Sequence, residues 1–270
     1  MSSLLYSSLQ QRQMTQEKIL EAMCELAENF SVFSIDDLEN IFCNLYNQLQ
    51  KMDINSIFGD EFVCMIQKMI EYFLNKDILR EITMFLFLIF TKISTDNCVM
   101  LLENVPNIVS FIIHFMKWKK GGAIYIRKYY LIVMHISVVC PNLIPTFIEQ
   151  MEISHVKKLI GNDGNDSDTM FSIYNWISHI SSQPCGIDFI MKEPEYFTKI
   201  LCELVKNTTL QIFFQKAILA LENILLLKNQ VLQEMIRSEI TGCVPNMMKV
   251  HFPQDLREKW EFVQKNVLIF

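Results

Sequence analysis

Glycine and proline are scarce in this chain, seven of each among 270 residues. Hairpins, barrels and sandwiches need both at their turns, whereas helices packed on helices need few, so the shortage argues against a β fold. Paired cysteines are missing too. Cys24, Cys43, Cys64, Cys98, Cys140, Cys185, Cys202 and Cys243 stand singly, with no C-x-x-C. That spacing suits buried thiols in a reducing compartment better than a disulfide framework or a zinc site. Positive charge is in deficit, 24 Lys and Arg against 30 Asp and Glu, which is the reverse of a chain devoted to nucleic acid. Nucleic acid is therefore not the expected partner class.

Catalytic signatures are absent as well. There is no Gly-rich phosphate loop, no G-x-S-x-G and no H-E-x-x-H. The five histidines lie far apart in sequence, and only Glu152 stands near one, three residues before His155. That spacing reads as a surface helix contact rather than a pair of metal ligands. No catalytic, cofactor or metal residue is assigned, and no enzyme is expected. The first residues, MSSLLYSSLQQRQMTQEK, show no basic stretch followed by a long apolar one, so no secretory signal is read. The expectation is an intracellular protein, cytoplasmic or nuclear.

Nor is there a long unbroken hydrophobic run. Tyr129 to Ile148 carries no charged side chain other than a protonated His135, yet Pro141, Asn142 and Pro145 interrupt it. Proline breaks a helix interior, so the segment reads as a buried helix ending near Cys140 and then a short second helix, with no membrane span.

What is present is core material. Apolar residues make up 51% of the chain, with twenty Phe and sixteen Met, enough for a continuous and plastic core and too much for disorder. The apolar segments also repeat. Pro106 and Pro194 open similar stretches, VPNIVSFIIHFMK and EPEYFTKILCELVK, 88 residues or twice 44 apart. Steps of 44 reach Lys18, Phe62, Gln150 and Ser238, each at or near an apolar-periodic segment: QEKILEAMCELAEN, FVCMIQKMIEYFL, QMEISHVKKLI and SEITGCVPNMMKV. Short helices precede them, such as TDNCVMLLEN from Thr95 with Thr95 as expected N-cap, and long ones follow, such as SIDDLENIFCNLYNQLQ from Ser34. Ser34 with Asp37 resembles a capping box, and Ser167 with Met170 is a plainer helix start. Three helices per 44 residues, short, medium and long, build a stack in which each unit buries its faces against the next. The expectation is one domain over residues 1–270, with repeats at roughly 1–52, 53–94, 95–140, 141–183, 184–228 and 229–270.

The stretches NTTLQIFFQKAILALENIL and NQVLQEMIRSEITGCVPNMMKV resemble the armadillo repeat, with its short, medium and long helix. ALENI, Ala220 to Ile224, matches the A-L-x-N-L pattern that closes that family's third helix. The period covers most of the chain, while the side-chain motif is good in this repeat alone. Leu219 stands where peptide-binding members place a Trp one turn before the Asn. The resemblance implies an all-α, right-handed α-solenoid of about six three-helix repeats. It also implies that the Asn position lines a concave groove and contacts the backbone of an extended ligand.

Asparagine is a poor helix former, so Asn223 inside an apolar helix calls for a reason. Steps of about 44 from Asn223 reach Asn47, Thr91, His135, His179 and Asn266, all hydrogen-bonding side chains. As a ladder along the groove they would pair with peptide N–H and C=O groups. The alternative is that each side chain satisfies backbone groups of its own repeat.

Charge is patterned too. No acidic residue stands between Glu103 and Glu149, while KWKKGGAIYIRK concentrates Lys117, Lys119, Lys120, Arg127 and Lys128. Such a patch would attract an acidic peptide, a phosphorylated segment or nucleic-acid phosphates, or else is a solvated loop and helix start. Glu17, Glu21, Glu25, Glu28, Asp36, Asp37 and Glu39 form an acidic outer face on the first repeat, and GNDGNDSD (161–168) lacks the order of a calcium loop. The expected function is a non-enzymatic interaction scaffold or adaptor. It would bind an extended or helical partner segment, acidic or phosphorylated where the basic patch contributes. The alternative is a structural N-terminal platform that forms homo- or hetero-oligomers through terminal surfaces, suggested by the apolar tail NVLIF, which also suggests a fragment of a longer chain.

Overall fold

The computed structural model describes residues 14–74, 76, 80–117, 122–161, 166–249 and 253–268, and every regular element among them is helical. The chain divides into two units, Met1–Val139 and Cys140–Phe270. The first holds α1 (Gln16–Asn29), α2 (Ile35–Leu49), α3 (Asp60–Phe73), α4 (Arg80–Lys92), α5 (Thr95–Asn104), α6 (Ile108–Met116) and α7 (Ala123–Val139), with a 3-10 turn at Ile54–Ile57.

Local chemistry sets the helix starts. Ser34 Oγ accepts from Asp37 N at 3.2 Å while Asp37 Oδ2 accepts from Ser34 N at 3.2 Å, the reciprocal cap expected from the sequence. For α5 the cap is Ser94 rather than Thr95: Ser94 is extended (ψ 162°) and its Oγ accepts from Asn97 N, which places Thr95 inside the first turn. Both residues carry the right hydroxyl, so the choice falls to backbone conformation. Between α5 and α6 the chain bends by 98°, with Asn107 in the left-handed region (φ 65°).

Within this unit, helices pack at intervals in the sequence. α1 lies on α3 and α3 on α6, while α2 lies on α4 and α4 on α7. Middle helices therefore meet middle helices and long meet long, the arrangement that makes neighbouring repeats bury each other. α7 buries Tyr129 to Met134 without a break because α4, α5 and α6 all cover it. Asn55 ties one repeat to the next: its Oδ1 accepts from Ser94 N (2.7 Å) and Asn97 Nδ2 (3.0 Å), and its Nδ2 donates to Lys92 O (3.3 Å).

The second unit holds a 3-10 turn at Pro141–Leu143, then α8 (Ile144–Gln150), α9 (Ile153–Ile160), α10 (Ser167–Ile180), α11 (Pro184–Ile190), α12 (Pro194–Asn207), α13 (Gln211–Leu226) and α14 (Gln230–Ile240). A second 3-10 turn, Asn246–Lys249, precedes α15 (Gln254–Leu268). The apolar run from Tyr129 thus stops at Val139 and resumes as α8, as its prolines required. No single helix among the described residues is long and apolar enough to cross a membrane.

Two local expectations are corrected in this unit. α10 is capped by Asp166, whose Oδ1 accepts from Thr169 N at 2.7 Å, so the Ser167 and Met170 pair plays no capping part. A carboxylate one residue earlier is the stronger acceptor and also complements the helix dipole. SEITGCVPNMMKV does not form a middle helix. α14 runs only to Ile240, Gly242 takes φ 73° and Pro245 follows, which together end the helix. α14 itself takes the middle position, packing on α12 and on α15.

The long helices again lie side by side, α10 on α13 and α13 on α15. Ion pairs join elements well separated in sequence: Lys157 of α9 to Glu193 before α12 (3.1 Å), Lys206 of α12 to Glu239 of α14 (2.7 Å) and Lys259 of α15 to Glu222 of α13 (3.4 Å). α11 begins so close to the end of α10 that a Cβ on Gly186 would overlap the Ile180 carbonyl. Gly186→Ala should therefore destabilise the protein by about 3 kcal/mol, read as a lower urea midpoint at unchanged slope.

Candidate binding face

The six ladder positions all fall on long helices: Asn47 on α2, Thr91 on α4, His135 on α7, His179 on α10, Asn223 on α13 and Asn266 on α15. Most of them fold back on their own helix. Thr91 Oγ1 donates to Phe87 O (2.8 Å), Asn266 Nδ2 to Phe262 O (2.8 Å) and Asn47 Nδ2 to Cys43 Sγ (3.8 Å), each four residues earlier. His179 Nδ1 meets Asn175 O at 2.8 Å in the same register. A short polar side chain one turn beyond a carbonyl reaches it readily, which is why helices tolerate such residues at their last turns.

Asn223 differs. Its Nδ2 donates to Ser181 Oγ at 3.0 Å and to Ser178 O at 3.4 Å, on the preceding long helix and just past its end. The asparagine in ALENIL is thus a strut between two repeats. Because a carbonyl can accept only from the amide nitrogen, the strut also fixes which way the side chain points: Oδ1 is the end left over.

His135 is half-buried on α7, and burial alone holds its imidazole below the ordinary 6.5. Cys202, facing the core from α12, is pushed up to about 12, chiefly by burial, and is an inert thiol.

In the second unit, a cavity of about 450 Å³ opens where the last turns of α10 and α13 meet the first turn of α11. Ser181, Pro184, Ile187, Asp188, Asn223 and Leu226 are among its lining residues. Sequence reasoning found Asn223 and missed the others. The available signal was in ALENILLL, where apolar Leu226 and Leu227 continue beyond the motif and end up exposed.

Three residues of the basic stretch lie among the described ones. Lys119 and Lys120 lie outside them, Lys117 is exposed at the end of α6, and Arg127 is half-buried on α7. Lys128 Nζ sits 3.7 Å over the Phe87 ring. Of GNDGNDSD, residues 162–165 lie outside the described ones, while Asp166 caps α10 and Asp168 occupies its first turn. Glu152 meets His155 at 3.4 Å across one turn, the surface contact their spacing suggested. Among the described residues, no group of three or more His, Cys, Asp or Glu is placed to hold a metal ion.

No family model and no curated protein matches this sequence. Its structure is similar to that of computationally designed armadillo repeat proteins for modular peptide recognition. The TM-score is 0.56 at 13% identity, covering 90% of this chain and 99% of that one. An engineered protein is similar at a TM-score of 0.49 and 13% identity, covering 98% of this chain and 96% of that one. The chain has the all-α armadillo-like repeat fold.

Two outcomes follow. Asn223→Ala should cost about 1 kcal/mol, and Asn223→Asp more, because a carboxylate there faces the Ser178 carbonyl; urea titrations check both. A folded His135 pKa below 6.5 means that the unfolded chain takes up its proton first. Stability from this group is full above 6.5 and is lost as pH falls through the lower folded value. His135→Gln should flatten that part of the acid limb of the stability–pH curve.

Proposed function

We propose that this protein is a non-enzymatic binding scaffold that holds a segment of a protein partner on the long-helix faces of its units. One observation carries the reading: Thr91, His179 and Asn266 satisfy their own helices, and Asn223 the preceding one, with one polar group while keeping another. Thr91 keeps hydroxyl lone pairs, His179 keeps Nε2, and Asn223 and Asn266 keep Oδ1, none with a further hydrogen bond among the described residues. A peptide backbone needs such groups at regular intervals, since its N–H and C=O groups recur along the chain. The two sequence alternatives, self-satisfied rungs and a ligand ladder, are therefore compatible: the internal bond fixes the rotamer, and the remaining end is held ready at little entropic cost. The structural likeness to designed proteins built for modular peptide recognition supports the same reading.

The test compares affinity captures from cell extract by the wild-type chain and by a Thr91→Ala, His135→Ala, His179→Ala, Asn266→Ala variant that keeps the Asn223 strut. A partner held by the wild type and lost from a variant that still melts cooperatively is the expected result. Equal capture by both would move binding off these faces.

A further inference from the structure

α1 and α3 lie side by side in the first unit, and each carries a cysteine at the rim of the packed face. Cys24 of α1 is half-buried and Cys64 of α3 is exposed, while Met23 and Met65 beside them are fully buried. The register brings the two thiols together. Gln16 Nε2 donates to Ser56 Oγ, 40 residues further on, and Cys24 and Cys64 are separated by the same 40. Cys24 also feels the charge of Cys64, of Glu61 one turn before it and of Glu28 on its own helix. Axes of packed helices run roughly 8–10 Å apart, with Cα atoms about 2.3 Å off each axis. Residues on adjoining flanks therefore fall near the span of roughly 4.4–6.8 Å between Cα atoms that a disulfide needs.

The surround is acidic. Burial first, then Glu61, Cys64 and Glu28, push the Cys24 thiol up from its ordinary value. Lys68, one turn beyond Cys64, has Glu71 at 3.6 Å, so it adds no net positive charge. Such a setting repels anionic reagents, glutathione disulfide among them, and leaves a small uncharged oxidant free to approach.

We propose that Cys24 and Cys64 are a modification site at which a neutral peroxide makes a reversible disulfide between α1 and α3. Cys64, the exposed member, reacts first as its thiolate: the sulfur attacks one peroxide oxygen, the O–O bond breaks, and hydroxide leaves and takes up the thiol proton as water. Cys64 is then a sulfenic acid. The Cys24 sulfur attacks the Cys64 sulfur, the S–O bond breaks, and the hydroxyl departs with the Cys24 proton as a second water. Two thiols are oxidised to one disulfide and one peroxide is reduced to two waters. Closure pins the first described helix to the next repeat and limits its local opening. Both cysteines lie on middle helices and the ladder on long ones, so the site stands apart from the scaffold reading.

The test treats the reduced full chain with hydrogen peroxide, blocks remaining thiols with N-ethylmaleimide and maps tryptic peptides without reduction. The expected product joins residues 19–51 to 52–68. Because Cys43 shares the first peptide, the map is repeated on Cys43→Ser, which should keep the cross-link, and on Cys24→Ser and Cys64→Ser, which should lose it. In the oxidised chain the amides of α1 should exchange about tenfold more slowly, and dithiothreitol should restore their rate. Glutathione disulfide should close the pair faster as salt screens the repulsion, while the peroxide rate stays unchanged by salt. Sulfinic acid on Cys64 beside an unmodified Cys24, a cross-link through Cys43, or a glutathione disulfide rate indifferent to salt would each overturn the assignment.

Discussion

Phe213, Phe214, Ala217, Ile218, Leu221 and Ile224 of α13 are all buried because α10 lies against one flank and α15 against the other. Lateral burial of long helices by their counterparts underlies the other features of each unit. It makes the third helix apolar nearly all round, as α7 also shows with Tyr129 to Met134, and it leaves only a narrow strip for polar residues. It also sets where the repeats must be joined. Each full helix surface is worth of the order of 25 cal/mol per Å² removed from water, so the repeats have little stability apart from one another.

Polar residues then do the local fastening. Asn55 holds the end of α4 to the start of α5, Asn223 ties α13 to the end of α10, and Lys206 reaches Glu239 between α12 and α14. These side chains serve two purposes. A group fixed by one hydrogen bond presents its other end in a defined direction, and that fixed presentation is what a recognition surface requires. Around the cavity, Ser181, Ser182 and Asn223 are each held by bonds that close the end of α10. Function in this reading follows from how helix ends are satisfied.

The helix pattern was legible early. A 3.6-residue period with few glycines and prolines marks helices whatever surrounds them, and the 44-residue step recovered α5, α6 and α7, and then α11, α12 and α13, in order. Ser34 and Asp37 could be read as a cap because both partners lie within four residues. The misreadings had local causes of another kind. Ser94 and Thr95 are chemically equivalent, so only backbone angles separate them. SEITGCVPNMMKV has an apolar period, yet Gly242 and Pro245 override it.

The sequence by itself determined the helical class and the spacing that sets Asn47, Thr91, His135, His179, Asn223 and Asn266 on long helices, since each depends on intervals along one chain. Tertiary structure alone decided what the rungs do. Asn223 and Asn266 have the same side chain at corresponding places, but only Asn223 has a serine hydroxyl from the preceding repeat within reach. The cavity is likewise a product of packing. Ser181 and Asn223, 42 residues apart, come to share a wall because α10 and α13 are forced side by side by the burial of their apolar flanks.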